Sequence, residues 1–327
     1  MTYGKSKGTE NKIMAMSKSY RKAYKKAVKA KKKARRGHWL LIQKGDSVKE
    51  ICSKLFTQFA VLVLIGCGVI LGHELWQSLS AQNIYGGIKD IYNSVVAAVA
   101  EGEMLPGAKE LVNINPDTVG YVRIDGTEVD LPVVQTSNNE DYLKVAFDGS
   151  ANKAGTIFMD FRDTVTPKKR SDNIILYGHN QRDRTMFGSL KDYKKNLEHY
   201  RSHPTIMFNS NYQSDTYKIF AYFVTEVEPE QTADGYVFDY HNYIDLSDRD
   251  VYDRFISNIT LRSQIVTAVD VQYGDEFLTL STCSNEFEPS RFVIFARKTR
   301  KGEEETVDVS AAYLNPDAKE PDWSVIY

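Results

Sequence analysis

Eighteen consecutive residues, Leu55 to Gly72 (LFTQFAVLVLIGCGVILG), contain no Asp, Glu, Lys or Arg. As a helix rising 1.5 Å per residue the run spans about 27 Å, close to the ~30 Å hydrocarbon core of a bilayer. It has no amphipathic period, so it reads as a membrane span and not as a core helix of a soluble domain. Lys54 and Glu74 bound it, and Trp76 suits an interfacial anchor. The charge on its two sides is unequal. Residues 1–54 hold 17 Lys/Arg and 3 Asp/Glu, whereas residues 55–327 hold 25 and 40, a division hidden in the net charge of −1. Lys and Arg mark the cytoplasmic flank, so the N-terminus is expected inside and residues 73–327 outside. A cleaved signal peptide, with small residues at Ser78–Ala81, would need an n-region of 54 residues, far beyond the usual pattern. The basic stretch Lys18–Arg36 is expected to lie against anionic lipid of the inner leaflet in preference to nucleic acid, which is not an expected partner.

Beyond the span the chain is rich enough in apolar residues to build a core, with 42% hydrophobic and 26% charged residues overall. Three cysteines exclude a disulfide framework. Cys52 lies at the inner boundary and Cys67 within the span, so Cys283 is the single exported thiol. Residues 74–110 read as helices, with Ile84, Ile88, Ile91, Tyr92, Val95 and Val96 near helical spacing, until Gly102, Pro106 and Gly107 break the pattern. From about 111 the chain reads as short strands: 120–124 and 131–134 around the turn Asp125-Gly126, then 155–159, 173–177, 217–224, 276–280 and 291–296. One helix interrupts them, with Ser247 as its cap, Asp248 and Asp250 in its first turn, and an apolar face of Val251, Tyr252, Phe255, Ile256 and Ile259. Many strands with few helices predict a mainly β fold with α insertions, a closed β-barrel. The charged tail after Lys301 carries little pattern and is expected to be loosely held.

Three residues could carry chemistry. Cys283 ends the strand-like LTLSTC, His179 follows another strand in LYGHN, and Arg291 opens the strand after the cysteine. A Cys–His pair supplies a nucleophile and an acid/base, and an Arg can stabilise developing negative charge. Singly, each has an ordinary structural explanation: a core thiol, a surface imidazole, half of a salt bridge.

Together, TLSTC (Thr279–Cys283), an Arg eight residues later and YGHN far upstream resemble the sortase family, membrane-anchored cysteine transpeptidases of Gram-positive bacteria. The N-terminal helices of 74–110 and the helix at 247–259 make the resemblance closest to class B, over about residues 75–298. The resemblance implies an eight-stranded barrel with one long helix in the loop before the cysteine strand. It divides the chain into a basic cytoplasmic segment 1–54, a transmembrane helix 55–72, a helical extension 73–110, a catalytic barrel 111–300 and a tail 301–327. By the same resemblance Cys283 is the nucleophile, His179 the acid/base and Arg291 the stabiliser of the oxyanion. Tyr177, Ser281 and Thr282, with Asn139 and Leu143 of QTSNNEDYL, would line the peptide groove. Thr232, Tyr236 and Val237 would belong to the loop that reads the sorting signal. Ser284 departs from those class B members that carry an acid after the cysteine. The implied partners are secreted proteins with a C-terminal sorting signal, a lipid II-like peptidoglycan amine and the cell membrane. No cofactor or metal is expected. A pilin-polymerising sortase differs only in using a Lys amine, and the lid motif typical of pilus enzymes is not found between 74 and 115. A non-catalytic exported peptide-binding barrel would have no need of Cys, His and Arg together.

Overall fold

The computed structural model describes residues 18–36, 40–94, 100, 102–284 and 286–326. Residues 1–17 and 37–39 of the basic segment, and Val95 and Val96 of the helical pattern, lie outside the described residues. The chain divides at Glu74 into two compact units. The first contains helix α1 (Lys18–Arg36) and the start of α2 (Val48–Asn93). Ser47 and Glu50 start α2 through a reciprocal capping box: the Ser47 N–H donates to Glu50 Oε2 at 3.0 Å and the Glu50 N–H to Ser47 Oγ at 3.4 Å. This cap begins the helix upstream of Leu55. The apolar window within α2 has a mean hydropathy of 2.3 and is unburied by protein, so the helix is long and apolar enough to cross a membrane.

In the second unit α2 runs on to Asn93, so no break separates the apolar run from the helical extension. The face it buries is Ala81, Tyr85 and Ile88, a 3.6-residue stripe. Ile91, expected on that face, is exposed. Tyr92 instead stacks on Tyr121 with ring centroids 3.9 Å apart, and the Tyr85 hydroxyl donates to the Gly155 carbonyl at 2.5 Å. Pro106, expected to interrupt helical structure, occupies the first turn of α3 (Pro106–Ile114), where a missing N–H costs nothing.

Eight strands then close a barrel in the order β1-β2-β3-β4-β8-β9-β6-β5. They are β1 (Thr118–Arg123), β2 (Asp130–Val134), β3 (Ile157–Met159), β4 (Asn173–Tyr177), β5 (Thr205–Ser210), β6 (Ser214–Glu226), β8 (Phe277–Cys283) and β9 (Ser290–Lys298). The β1–β2 turn uses Gly126 at φ 78°, a conformation that favours glycine. Strand β5, which the sequence reading did not find, pairs with β1 and closes the barrel.

Two apolar clusters lie on opposite faces of the sheet. Leu278, Leu280, Phe292, Ile294, Ile174 and Leu176 belong to the barrel interior. Phe277, Val293 and Phe295, one position out of phase on the same strands, pack outward with Tyr252, Phe255 and Ile259 of helix α5 (Arg249–Arg262). Helix α4 (Leu197–Ser202) precedes β5. The cap of α5 is Asp248, whose carboxylate accepts from the Asp250 and Val251 N–H groups. Ser247, expected in that role, instead donates its hydroxyl to Asp245.

The tail is not loose. Glu303 accepts from both terminal nitrogens of buried Arg297, at 2.6 and 2.7 Å, and from Lys218 at 2.7 Å. Burial of Arg297 on β9 thus ties the tail down, since an unpaired Arg297 would be a buried charge. Further on, β10 (Tyr313–Leu314) pairs with β7 (Ile265–Val266), and Trp323 sets its ring edge-on to Phe287.

Candidate active site

Strands β4 and β8 run parallel with Tyr177 opposite Ser281. Each motif residue lies two positions further along its own chain, so His179 follows Tyr177 as Cys283 follows Ser281. The ladder continues past the strand end, because the Gly178 N–H donates to the Ser281 carbonyl at 3.2 Å. Gly178 fits this place since a Cβ there would collide with the Ile157 side chain and the Phe187 ring. On its other edge β8 pairs antiparallel with β9, and Cys283 stands directly opposite Arg291. Cβ atoms of such a pair lie about 5 Å apart. Strand alternation puts Tyr177, Ser281, Cys283, Arg291 and Val293 on the outward face, the side opposite the barrel interior, and His179 follows just past the end of β4.

All of these but Val293, which is buried against α5, open onto a cavity of about 360 Å³. His179, Cys283 and Arg291 line it, with Tyr177, Ser281, Thr282, Asn139, Leu143 and Val237. Cys283 is exposed. The Leu143 carbonyl lies 2.7 Å from His179 Nε2. A carbonyl only accepts, so Nε2 carries the hydrogen and Nδ1 of the neutral ring is left bare. Asn180 Nδ2 donates to the Cys283 carbonyl at 2.9 Å, tying the two motif segments together. Arg291 Nη1 donates to the Ser290 carbonyl at 3.0 Å, and among the described residues no carboxylate forms an ion pair with it. The Ser284 N–H donates to the Ser290 carbonyl at 3.0 Å and is therefore engaged within the β8–β9 hairpin.

The sequence reading missed residues that line the groove or bond to its wall. Asp160 is fully buried. Its carboxylate accepts from Arg162 Nε and Nη2, both at 2.8 Å, from the Tyr177 hydroxyl at 2.9 Å and from Asn139 Nδ2 at 3.1 Å. Burial opposes its ionisation, but the Arg162 guanidinium and the Tyr177 hydroxyl outweigh burial and hold it below the ordinary Asp range. Burial, then the Asp160 charge, raises the Tyr177 phenol, so it stays a neutral donor. Arg162 also reaches the His241 carbonyl at 2.7 Å, joining this wall to the loop before α5. On the floor, Tyr240 and Ser281 share a hydroxyl–hydroxyl bond of 2.7 Å. Burial pushes the Tyr240 phenol up to about 12, against the lowering pull of Ser281 and of the Arg291 charge. The pattern Asp-x-Arg at 160–162 was a visible signal of the first network, while nothing local marked Tyr240.

Thr232 and Tyr236 do not line the cavity. The Thr232 hydroxyl donates to the Pro229 carbonyl and the Tyr236 hydroxyl to Asn258 Oδ1. Thr282 borders the cavity, but alternation turns its side chain inward, where Oγ1 has no hydrogen-bond partner among the described residues. Among the described residues no group of three or more His, Cys, Asp or Glu side chains has metal-holding geometry.

The Sortase domain family model matches residues 122–299. Sortase B of Staphylococcus aureus (strain NCTC 8325 / PS 47) is 30% identical over 251 residues, covering 75% of this chain and 97% of that protein. Among solved structures, a Staphylococcus aureus sortase B–substrate complex superposes with a TM-score of 0.59 at 28% identity, over 69% of this chain and 99% of that one. Sortase B complexed with triglycine gives 0.59 and 28%, over 68% and 99%. The motif residues, the eight-stranded barrel and these likenesses agree: the chain belongs to the sortase family of cell-wall transpeptidases, in its class B branch.

Proposed function

We propose that the protein cleaves a C-terminal sorting signal of secreted proteins after a Thr and transfers the new carboxyl end to an amine of a peptidoglycan precursor. The observation that carries this reading is the meeting of Cys283, His179 and Arg291 on one face, at one cavity. The Cys283 thiol passes its proton to His179 Nδ1 and attacks the Thr carbonyl carbon. Arg291 holds the oxyanion. With the Ser284 N–H engaged in the hairpin, the guanidinium is the main donor on this side of the carbonyl. The C–N bond breaks as His179 returns the proton to the leaving amine, which leaves a thioester on Cys283. An incoming primary amine then forms the new C–N bond while giving a proton to His179. The C–S bond breaks and the thiol is restored. The triglycine-bound neighbour supports an amine acceptor, and the substrate-bound neighbour supports a peptide donor.

In this reading α2 crosses the cell membrane, residues 1–54 are cytoplasmic and the barrel is extracellular, facing lipid II-like acceptors. The test uses the full chain in detergent. Peptides carrying the C-terminal pentapeptides of exported proteins encoded beside it are offered with and without triglycine. The expected result is a triglycine-ligated product at the expense of hydrolysis. Cleavage whose products ignore the amine would contradict the transferase reading.

A further inference from the structure

The hairpin between β8 and β9 carries Cys283 at one end and Arg291 at the other. How the thiol and the guanidinium face one carbonyl thus depends on the shape of the hairpin as well as on the ladder. Lys194, which ends the 3-10 turn Leu190–Lys194, reaches this hairpin with its side chain. Its Nζ donates to Ser284 Oγ at 3.1 Å and to Glu286 Oε1 at 2.5 Å. The same ammonium stands 5.0 Å from the Phe292 ring centroid. Ser284 directly follows Cys283 and Phe292 directly follows Arg291. One cation therefore contacts the neighbours of both proposed catalytic residues, on both arms of the hairpin. Its side chain is 17% exposed, so these contacts are little screened by water. They also turn Ser284, itself buried, toward Lys194.

We propose that Lys194 is a positioning residue that holds the β8–β9 hairpin in the shape that lets Cys283 and Arg291 act on the same carbonyl. The proposal rests on the catalytic reading above. A lysine suits the place: a compact ammonium offers three rotatable donors and a point charge to the ring, whereas a guanidinium is planar and needs more room. A displacement of the order of 1 Å in a reacting group costs up to ~10²-fold in rate. Lys194→Met should therefore lower the single-turnover acylation rate by about 10- to 100-fold and leave the KM for peptide within about twofold. Lys194→Arg should recover only part of the loss.

The full chain is measured as wild type, Lys194→Met, Lys194→Arg, and Lys194→Met combined with Arg291→Ala, with melting temperature read on the same samples. If Lys194 works by aligning Arg291 with the thiol, adding Lys194→Met to Arg291→Ala should cost less than about threefold more. Should Lys194→Met fail to fold because Glu286 loses this cation, the pair Lys194→Met/Glu286→Gln removes both charges and is expected to show the same acylation defect. A folded Lys194→Met or Lys194→Met/Glu286→Gln with acylation within twofold of wild type would overturn the proposal. So would a defect that multiplies in full with that of Arg291→Ala. An inactive wild type would refute the catalytic reading instead, so the two failures are distinguishable.

Discussion

Replacing Asp160 by Ala should cost stability and peptide binding together. The carboxylate is fully buried and accepts from Arg162, Tyr177 and Asn139. Removing one partner of a buried charge pair costs about 3–5 kcal/mol. The Arg162 side chain is 35% exposed and can partly rehydrate, which places the loss near the lower end, ~3 kcal/mol. For a folded unit of this size each kcal/mol moves the melting temperature by roughly 2–4 °C, so a fall of about 6–12 °C is expected at pH 7. The folded fraction should bind peptide worse, because Tyr177 and Asn139 lose the group that fixes them against the groove; a loss of ~1.4 kcal/mol there raises KM about tenfold. The thiol should stay reactive, since Cys283 does not touch this network. The pH dependence has a definite sign. The folded-state pKa of Asp160 is depressed, so its stabilisation is fully present above about pH 4 and is lost as pH falls through the folded value. Asp160→Ala should lack that part of the acid limb. Thermal melts from pH 3 to 7, with peptide KM on the same preparations, are the assay. A melting temperature within 1 °C of wild type and an unchanged KM would refute the reasoning.

Two further outcomes are expected. Arg291→Ala should lose at least ~10²-fold in kcat with little change in melting temperature, because among the described residues it holds no carboxylate, and Arg291→Lys should keep a small fraction of activity; an unchanged single-turnover acylation rate in folded Arg291→Ala would rule out the oxyanion role. External protease on intact protoplasts should digest the barrel, given the Lys/Arg excess before the apolar run, whereas full protection would reverse the proposed orientation.

The parts of this protein legible in the sequence were those with local signals. The apolar run, the turn at Asp125-Gly126 and the strand of TLSTC each declare themselves within a few residues. Local reasoning failed where two local rules compete. Pro106 reads as a breaker in a helical pattern but is equally at home in a first turn. Ser247 and Asp248 are both good caps, and the carboxylate won. What no local pattern carries is pairing between distant segments. The parallel register of β4 with β8 brings His179 beside Cys283, and the pairing of β5 with β1 closes the barrel. The docking of the tail through Glu303 depends on Arg297 being buried, which only the closed barrel makes so.

Intact-mass spectrometry of the full chain, mixed with a cleavable sorting peptide and quenched in acid, tests the central claim most directly. The account predicts one adduct equal to the N-terminal peptide fragment, mapped to Cys283, released by hydroxylamine and absent from Cys283→Ala, with Cys52 and Cys67 unmodified. Peptide turnover by Cys283→Ala above about one part in a thousand, or an adduct on another residue, would contradict covalent catalysis by this thiol.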